Sequence, residues 1–284
     1  MAVPATSANL GPGFDCLGVA LGAYLNIRFS TAPSFLIAGR GRLHPIPGNL
    51  TYRSFVAAHE LAGRSAPTVK IETLGRYPSA RGMGASASAI VAGLVGARAF
   101  GKLDLADEAL AKLAVEIEGH PDNVLPALLG GLVLSLGNRW IRLQPNPRIA
   151  PLILVAADGF KTKSARRVLP EQISRADAIA NAAATAALVA IMCGSAGSDM
   201  LMEATADRLH EPYRLPLMPA SKKVHEQLRA EGIPTTLSGA GPSLLCLVDT
   251  ERQQEVAGTV AGVLPEGWKV LTPGWDLKGA RTDC

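Results

Sequence analysis

Cysteine, aromatic residues and clustered charge are all scarce in this sequence of 284 residues. Its four cysteines are scattered, with no Cys-x-x-Cys pair and no Cys/His cluster, and this pattern excludes a zinc site and a disulfide framework. Aromatic residues make up only 5%, and the basic residues form short pairs rather than a stripe, which argues against a nucleic-acid surface. With a formal net charge of +4, a small anionic ligand is the better expectation.

Signals for export, membrane insertion and a P-loop are missing as well. The residues after Met1 contain no basic segment followed by an apolar one, which predicts a cytoplasmic protein. The uncharged stretch 178–197 has nine alanines among its twenty residues, and alanine is barely apolar enough for insertion, so we predict a buried helix of a globular domain and no membrane contact. A GxxxxGK[ST] loop is absent, which excludes a P-loop nucleotide site.

What the chain does have is enough apolar material for a sizeable core. It is 48% hydrophobic and 18% charged, and its length fits one large domain or two medium ones. Residues 137–151 contain three prolines and little periodic pattern, so we place the domain boundary there and predict domains 1–148 and 149–284. The second half alternates strand and helix patterns, as an α+β domain does.

The stretch 82–89 is rich in glycine, alanine and serine and runs directly into a helix. Glycines allow close approach of another group, and a helix that begins there presents free N–H groups to an anion. The stretch is therefore either a phosphate cradle, with Ser86 placed to reach a metal, or an ordinary tight turn. Its loose GxGxxA pattern does not indicate a dinucleotide fold, because residues 75–81 separate it from the preceding strand.

Polar side chains at two other turns are candidate ligands. Asn9 and Asp15 flank a Gly-Pro-Gly turn, where they either cap the turn locally or face a ligand. Glu116 and Glu118 lie at the end of a predicted helix, followed by His120. Acidic residues oppose the helix dipole at a C-terminus, so the sequence either retains them for a cation or simply ends a polar helix before a proline.

Three glycine-containing loops, at 7–15, 82–89 and 237–243, and the run 118–123 (Glu-Gly-His-Pro-Asp-Asn) together resemble the GHMP small-molecule kinases, and within them the homoserine kinases. The resemblance implies a two-domain α+β fold. Its N-terminal half would be similar to domain 2 of ribosomal protein S5, and its C-terminal half would be ferredoxin-like. It also implies ATP, Mg²⁺ and L-homoserine as ligands, a place in threonine biosynthesis, and a homodimer.

The resemblance also assigns the nucleotide side of the site. Ser86 and Glu116 match the Mg²⁺ ligands, with Glu118 as the second choice, and Asn49 matches a position near the adenine, although a helix cap explains it equally well. Ala85 replaces the usual serine of the family. The residues expected at the nucleotide are Asn49, Arg81, Gly82, Met83, Gly84, Ala85, Ser86, Ala87 and Ser88.

On the acceptor side, the resemblance implies that Arg166 and Arg214 bind the carboxylate of homoserine and that Asp15 binds its ammonium group. Asn123 would lie near the reactive hydroxyl, and Asp122 is the positional candidate for a general base. Asn9, His120, Asn123 and Gly239 would line the pocket, and the expected catalytic residues are Asn123, Asp122, Ser86 and Glu116. Two alternatives remain: a kinase of another alcohol, and a metabolite sensor without chemistry, which only Ala85 favours.

Overall fold

A seven-stranded sheet forms the framework of the first half of the chain. The computed structural model describes residues 1–39, 42–44, 48–75, 77–78, 81–160 and 162–282, with the side chains of 39, 42–44 and 162–164 outside that description. The strands run in the order β4-β3-β5-β2-β6-β7, with β1 beside β2. They are β1 (Ala2–Ala8), β2 (Leu17–Thr31), β3 (Leu36–Gly39), β4 (Arg42–His44), β5 (Val69–Gly75), β6 (Leu132–Leu136) and β7 (Arg139–Leu143).

Strand β1 is buried along its whole length and pairs antiparallel with β2, from Ala2 opposite Asn26 to Ala8 opposite Gly18. Neighbouring strands pair antiparallel except β3 and β5, which are parallel. Because β1 and β2 both end near the turn at residues 9–16, this register places that turn at one edge of the buried sheet.

Helix α2 (Ala85–Gly101) is the central helix of this half, with α1 (Leu50–Leu61), α3 (Asp107–Glu118) and α4 (Pro121–Leu129) packed around it. Most of α2 is buried, and its glycines allow close packing: a Cβ at Gly93 would lie 2.3 Å from the Thr51 carbonyl oxygen, and one at Gly96 would lie 2.5 Å from the Phe29 ring. The apolar pattern placed the helix at 90–100, and the structure begins it at Ala85, inside the glycine-rich stretch.

The second sheet has the strand order β11-β8-β10-β9, and its neighbours are antiparallel. In chain order this is βαββαβ with strand order 4-1-3-2, which is the ferredoxin-like topology. Its strands are β8 (Ile149–Val155), β9 (Thr235–Leu237), β10 (Leu244–Asp249) and β11 (Lys269–Leu271). Its helices are α5 (Thr162–Arg167), α6 (Arg175–Met192), α7 (Leu201–Ala204), α8 (Glu211–Arg214), α9 (Pro219–Ala230) and α10 (Gln253–Val263).

Helix α6 departs from the prediction of a buried helix. It is long and apolar enough to cross a membrane by length and composition, yet its outer face is largely exposed and only its inner face packs against the rest of the fold. On that inner face, Asn181 Nδ2 and Thr185 Oγ1 both donate to the Pro12 carbonyl oxygen, at 2.9 and 3.0 Å. Leaving these alanine side chains in water costs little free energy, because each would bury only a small apolar area if it were covered. The helix therefore serves to hold the turn at residues 9–16.

After β11 the chain returns to the first sheet, although the sequence assigned residues 149–284 to one domain. Asp276 N–H donates to the Ala20 carbonyl at 3.0 Å, and Arg281 N–H donates to the Ala2 carbonyl at 2.9 Å. The Asp276 carboxylate, 4% exposed, accepts from Tyr24 Oη and Arg281 Nη1, both at 2.8 Å. The tail (residues 272–282) thus fastens the two halves of the chain together.

Replacing Asp276 by alanine is expected to lower the free energy of unfolding by about 2–4 kcal/mol, because several partly buried donors lose their shared acceptor. These include the backbone N–H groups of Lys278 and Gly279. Urea denaturation followed by fluorescence measures the change, with the exposed Asp104→Ala as the matched control. A denaturation midpoint for Asp276→Ala equal to that of the control contradicts the prediction.

Candidate active site

Three loops that are far apart in the sequence meet at one cavity. Gly239 N–H donates to the Ala8 carbonyl at 3.0 Å, and Asn9 Nδ2 donates to the Gly239 carbonyl at 2.8 Å. Ser238 Oγ donates to the Gly82 carbonyl at 2.6 Å, which joins the third loop to the second. The cavity has a volume of about 760 Å³. The sequence-predicted residues that line it are Asn9, Gly82, Met83, Gly84, Ala85, Ser86, His120, Asp122, Asn123, Arg166, Arg214 and Gly239.

The glycine loop at the start of α2 requires glycine at two positions. Gly82 and Gly84 have φ of +74° and +65°, the left-handed region that other residues adopt with strain. A Cβ at Gly82 would lie 2.0 Å from the Ser238 carbonyl oxygen, and one at Gly84 would lie 1.9 Å from Thr6 Oγ1. The loop can therefore pack tightly while the first turn of α2 lies at the cavity, where its N–H groups can bind an anion.

The structure brings Glu118, rather than the expected Glu116, to Ser86. Ser86 Oγ donates to Glu118 Oε2 at 2.8 Å, and both residues line the cavity, whereas Glu116 is exposed and does not. Residues two apart on an α-helix point about 200° away from each other, so the two glutamates cannot share one pocket. Burial raises the pKa of the Glu118 carboxyl, and the hydrogen bond from Ser86 offsets part of that rise.

The side chains of three other residues expected at the nucleotide form hydrogen bonds or are buried away from the cavity. Arg81 Nε donates to the Ala156 carbonyl at 2.7 Å, and the same guanidinium also donates to the next carbonyl, so it ties the loop to the end of β8. Ser88 Oγ, fully buried, donates to the Pro4 carbonyl at 2.8 Å. Ala87 is also fully buried. These side chains hold the loop in place and do not line the cavity.

Asn49 lines a second, smaller cavity of about 170 Å³, which meets the first at Ala85. Its Oδ1 accepts from Tyr52 N–H at 3.0 Å, so the residue does cap α1. Apolar side chains such as Leu25 and Ile27 form part of the same wall. Both interpretations of Asn49 are therefore compatible, since it caps a helix and also borders a pocket beside the glycine loop.

Arg166 lines the large cavity and forms a two-pronged ion pair with Asp15, which is not itself among the lining residues; the N–O distances are 2.8 and 2.7 Å. Asn9 Oδ1 accepts from the Asp15 N–H at 3.0 Å, and both residues have positive φ, 68° for Asn9 and 56° for Asp15. Such backbone strain persists only where surrounding contacts hold it. The sequence predicted separate substrate contacts for Asp15 and Arg166, whereas the structure pairs the two side chains with each other.

Arg214 is a buried cation, 1% exposed, that also lines the cavity. Its Nε donates to the Ala165 carbonyl at 3.2 Å, and its Nη1 lies 3.3 Å from His210 Nδ1. Among the described residues, no carboxylate lies within ion-pair distance of it. Burial and the nearby Arg166 cation both lower the pKa of Arg214, so this guanidinium favours the approach of an anion.

His120, Asp122 and Asn123 also line the cavity, and hydrogen bonds hold their side chains in place. His120 Nδ1 donates to Asp122 Oδ1 at 2.6 Å, and this bond to a carboxylate that is 2% exposed raises the pKa of His120. Thr6 Oγ1 donates to Asn123 Oδ1 at 2.7 Å, which fixes the orientation of the Asn123 amide. Thr6 was not predicted from the sequence, because a buried threonine within a strand carries no motif.

The described residues contain no cluster of three or more His, Cys, Asp or Glu side chains placed to hold a metal. A cation at this site would therefore have the Ser86 hydroxyl and the Glu118 carboxylate as its protein ligands. Mg²⁺ suits such a set, because it usually takes one or two protein oxygens and completes its shell with water and phosphate.

Comparison with protein families decides what kind of protein has this arrangement. Residues 49–131 match the family of GHMP kinases N terminal domain, and residues 196–265 match that of GHMP kinases C terminal. The chain belongs to the GHMP kinases. The α+β fold class and the kinase assignment expected from the three loops are confirmed. The matched segments contain the glycine loop of the first half and the third glycine loop of the second.

Curated relatives of this GHMP kinase carry the name homoserine kinase. The protein from Streptomyces avermitilis is 44% identical, over 98% of this chain and 93% of its own length. The protein from Synechococcus sp. is also 44% identical, over 90% of this chain and 87% of its own length. Among solved structures, the homoserine kinase of Cytophaga hutchinsonii superimposes with a TM-score of 0.86 at 25% identity, covering 98% of this chain and 95% of that one.

Proposed function

We propose that this GHMP kinase transfers the γ-phosphoryl group of ATP to the side-chain hydroxyl of L-homoserine and forms O-phospho-L-homoserine for threonine biosynthesis. One observation carries the proposal: the same cavity is lined by the first turn of α2 and by Arg214, a buried guanidinium with no carboxylate partner among the described residues. An anion cradle and a carboxylate site in one cavity suit a nucleotide and an amino acid. The names of the relatives agree with this choice.

On the nucleotide side, the phosphates would lie against the glycine loop and the first turn of α2, where backbone N–H groups and the helix dipole favour negative charge. The adenine would enter the smaller cavity that Asn49 borders. Ala85 lines both cavities. The cradle consists of backbone N–H groups, so the loss of the serine hydroxyl usual at this position leaves it intact.

We propose Ser86 and Glu118 as the residues that would hold Mg²⁺. The two oxygens lie 2.8 Å apart at the cavity, and a cation there would stabilise the charged form of the partly buried Glu118 carboxylate. When bound, Mg²⁺ neutralises charge on the phosphates during transfer. Glu118 therefore replaces Glu116 in the proposed metal site.

On the acceptor side, homoserine brings both a carboxylate and an ammonium group. The planar guanidinium of Arg214 would bind the carboxylate, with Arg166 as its second donor. Asp15 would accept from the ammonium group, and this exchanges part of the Asp15–Arg166 ion pair for contacts with the two substrate charges. Asn9, His120 and Gly239 would border the bound amino acid.

Asn123 lies beside the glycine loop, since a Cβ at Gly84 would come within 3.0 Å of its Oδ1. We place the reacting hydroxyl near it. The hydroxyl oxygen forms the new bond to the γ-phosphorus while the bond to the β,γ-bridging oxygen breaks. In a loose transition state the hydroxyl proton leaves late and can pass to an oxygen of the transferred phosphoryl group, so a strong base is not required. The Asp122 carboxylate already accepts from His120, and its proposed role is to orient that ring.

Replacing Asp122 by asparagine is expected to lower kcat by no more than about tenfold, far less than the 10²–10⁴-fold typical when a general base is lost. Asparagine keeps the size of the buried side chain and retains an oxygen that can accept from His120 Nδ1. Steady-state kinetics with saturating ATP and homoserine measure the change. The same substitution at the exposed Asp104 serves as a control. If Asp122→Asn lowered kcat as much as removal of the Glu118 carboxylate does, Asp122 would have to act as the general base.

Detection of the product tests the proposed function directly. The purified protein, ATP, Mg²⁺ and L-homoserine should yield phosphohomoserine and ADP, measured by ³¹P NMR. Turnover of mevalonate or a sugar without turnover of homoserine would make the chain a kinase of another alcohol. Binding of ATP and homoserine without product would make it a sensor. The homodimer and the cytoplasmic location expected from the sequence stay predictions.

A further inference from the structure

The Phe14 ring lies among three nitrogen-bearing groups of the acceptor site. The guanidinium carbons of Arg214 and Arg166 lie 4.9 and 5.7 Å from the ring centroid. The His210 ring stacks on Phe14 at a centroid distance of 5.3 Å and an interplanar angle of 29°. All three distances are within the range in which an aromatic ring attracts a cation or stacks on a neighbour. One side chain therefore contacts both arginines proposed to bind the substrate carboxylate.

The charges explain why this contact matters. The guanidinium groups of Arg166 and Arg214 both line the cavity. Among the described residues, only Asp15 lies within ion-pair distance of either one. Their mutual repulsion favours their separation, and Arg166 contributes to the lowered pKa of Arg214. The negative face of an aromatic ring attracts both cations without adding a formal charge. Phe14 thus helps to keep the two guanidinium groups close together. Because the ring carries no formal charge, the positive charge of Arg214 remains available to an incoming anion.

The ring itself is held by the turn that carries it. The Pro12 carbonyl accepts from two side chains of α6, and Gly11 O lies 2.8 Å from His210 Nε2. A Cβ at Gly11 would lie 2.7 Å from the Thr205 carbonyl oxygen, so this turn is packed closely against the segment that leads to α8. Phe14 follows in the same turn, and the loop that fixes the ring also fixes His210, which in turn lies beside Arg214.

We propose that Phe14 is a specificity-determining positioning residue, which holds the guanidinium groups of Arg166 and Arg214 together so that the enzyme selects alcohols bearing an α-carboxylate. This inference rests on the proposed function of the same site. It adds that the preference for a carboxylate depends on an uncharged aromatic ring as well as on the arginines. Loss of the ring should therefore weaken recognition of the carboxylate while the hydroxyl and the ammonium group of the substrate are still bound.

The test compares homoserine with 3-amino-1-propanol, which is homoserine without its carboxylate. For each variant one measures the KM of homoserine, the KM of ATP, and the inhibition constant of 3-amino-1-propanol as a competitor of homoserine. Phe14→Leu keeps an apolar side chain without the ring, and Phe14→Tyr restores the ring. Phe100→Leu is the matched control, because Phe100 lies at the far end of α2, about 22 Å from its first residue.

In Phe14→Leu, the ratio of the inhibition constant of 3-amino-1-propanol to the KM of homoserine should fall about tenfold, with the KM of ATP unchanged. Phe14→Tyr should recover most of that ratio, and Phe100→Leu should not alter it. If Phe14→Leu does not fold, Phe14→Met, of similar volume and also without a ring, replaces it.

An unchanged ratio, or an equal loss for both ligands and for ATP, would overturn the inference. It would show that Phe14 only supports the fold. Failure of the unsubstituted protein to phosphorylate homoserine would instead refute the proposed function. The two failures are therefore distinguishable in the same set of measurements.

Discussion

Replacing Glu118 by glutamine is expected to lower kcat by about 10²–10³-fold, whereas the same change at Glu116 should leave kcat within about twofold of the unsubstituted protein. Glu118 lies 2.8 Å from Ser86 Oγ at the cavity, and Glu116 lies exposed on another face of the same helix. Glutamine keeps the shape of the side chain and its hydrogen bond to Ser86 but removes the negative charge that a divalent cation requires. The pair of variants therefore isolates that charge.

Initial rates measured over a series of Mg²⁺ concentrations provide the readout. Glu118→Gln should need a higher concentration of Mg²⁺ for half-maximal rate, and Glu116→Gln should follow the curve of the unsubstituted protein. Thermal unfolding of both variants checks that neither substitution disturbs helix α3. A deeper loss at Glu116 than at Glu118 would contradict the proposed metal site and restore the assignment that the sequence favoured.

Replacing Arg214 by methionine is expected to lower kcat/KM for homoserine by about 10²–10³-fold, with the KM of ATP nearly unchanged. The guanidinium is 1% exposed and has no carboxylate partner among the described residues, so a bound carboxylate would be its counter-ion. Loss of one partner of a buried charge pair costs about 2–5 kcal/mol, which corresponds to this range. Lysine should restore only part of the loss, because an ammonium group lacks the planar pair of donors.

Arg208→Met is the matched control, since Arg208 is an exposed arginine close in the sequence that pairs with Asp177 at 3.3 Å. It should leave both KM values unchanged. Steady-state kinetics with each substrate varied in turn separate the two effects. An equal rise in the KM of ATP and of homoserine for Arg214→Met would mean that the residue supports the whole cavity rather than the acceptor, and would contradict its assignment to the carboxylate.

The backbone of the site was largely predictable from the sequence. Glycine has local signatures, so the loops at 82–89 and 237–243 could be recognised before the fold was known, and the structure brings both to one cavity. The order of the second half as alternating strands and helices was also predictable. These features depend on residues that are near each other along the chain.

The choice between Glu116 and Glu118 was not predictable from the sequence. Both lie near the C-terminus of α3, where Gly119 adopts φ of 88° and ends the helix. Which glutamate faces the cavity depends on the rotation of α3 against α2 and α4, and that rotation is set by packing across the core. Spacing along the sequence shows only that the two glutamates point in different directions.

The ion pair between Asp15 and Arg166 was also not predictable from the sequence, for a different reason. The two residues are 151 positions apart, and each has a plausible role of its own as a substrate ligand. Thr6 was also missed, because a buried threonine within a strand carries no motif, and Phe14 had no role of its own although it lies in the loop 7–15. Contacts of this kind arise only when segments that are distant in the sequence pack against each other.

The tail that returns to the first sheet has a consequence for synthesis on the ribosome. Strand β1 precedes the tail in the chain, so the Ala2 carbonyl is made long before the Arg281 N–H that donates to it. The same holds for the backbone groups at Asp276 that bond to Ala20 and Gly131. The nascent first half therefore emerges with a side of its sheet uncovered and stays so until the second half has been translated. The hydrogen bonds between the tail and the first sheet thus form only after the strands of the second sheet have been synthesised.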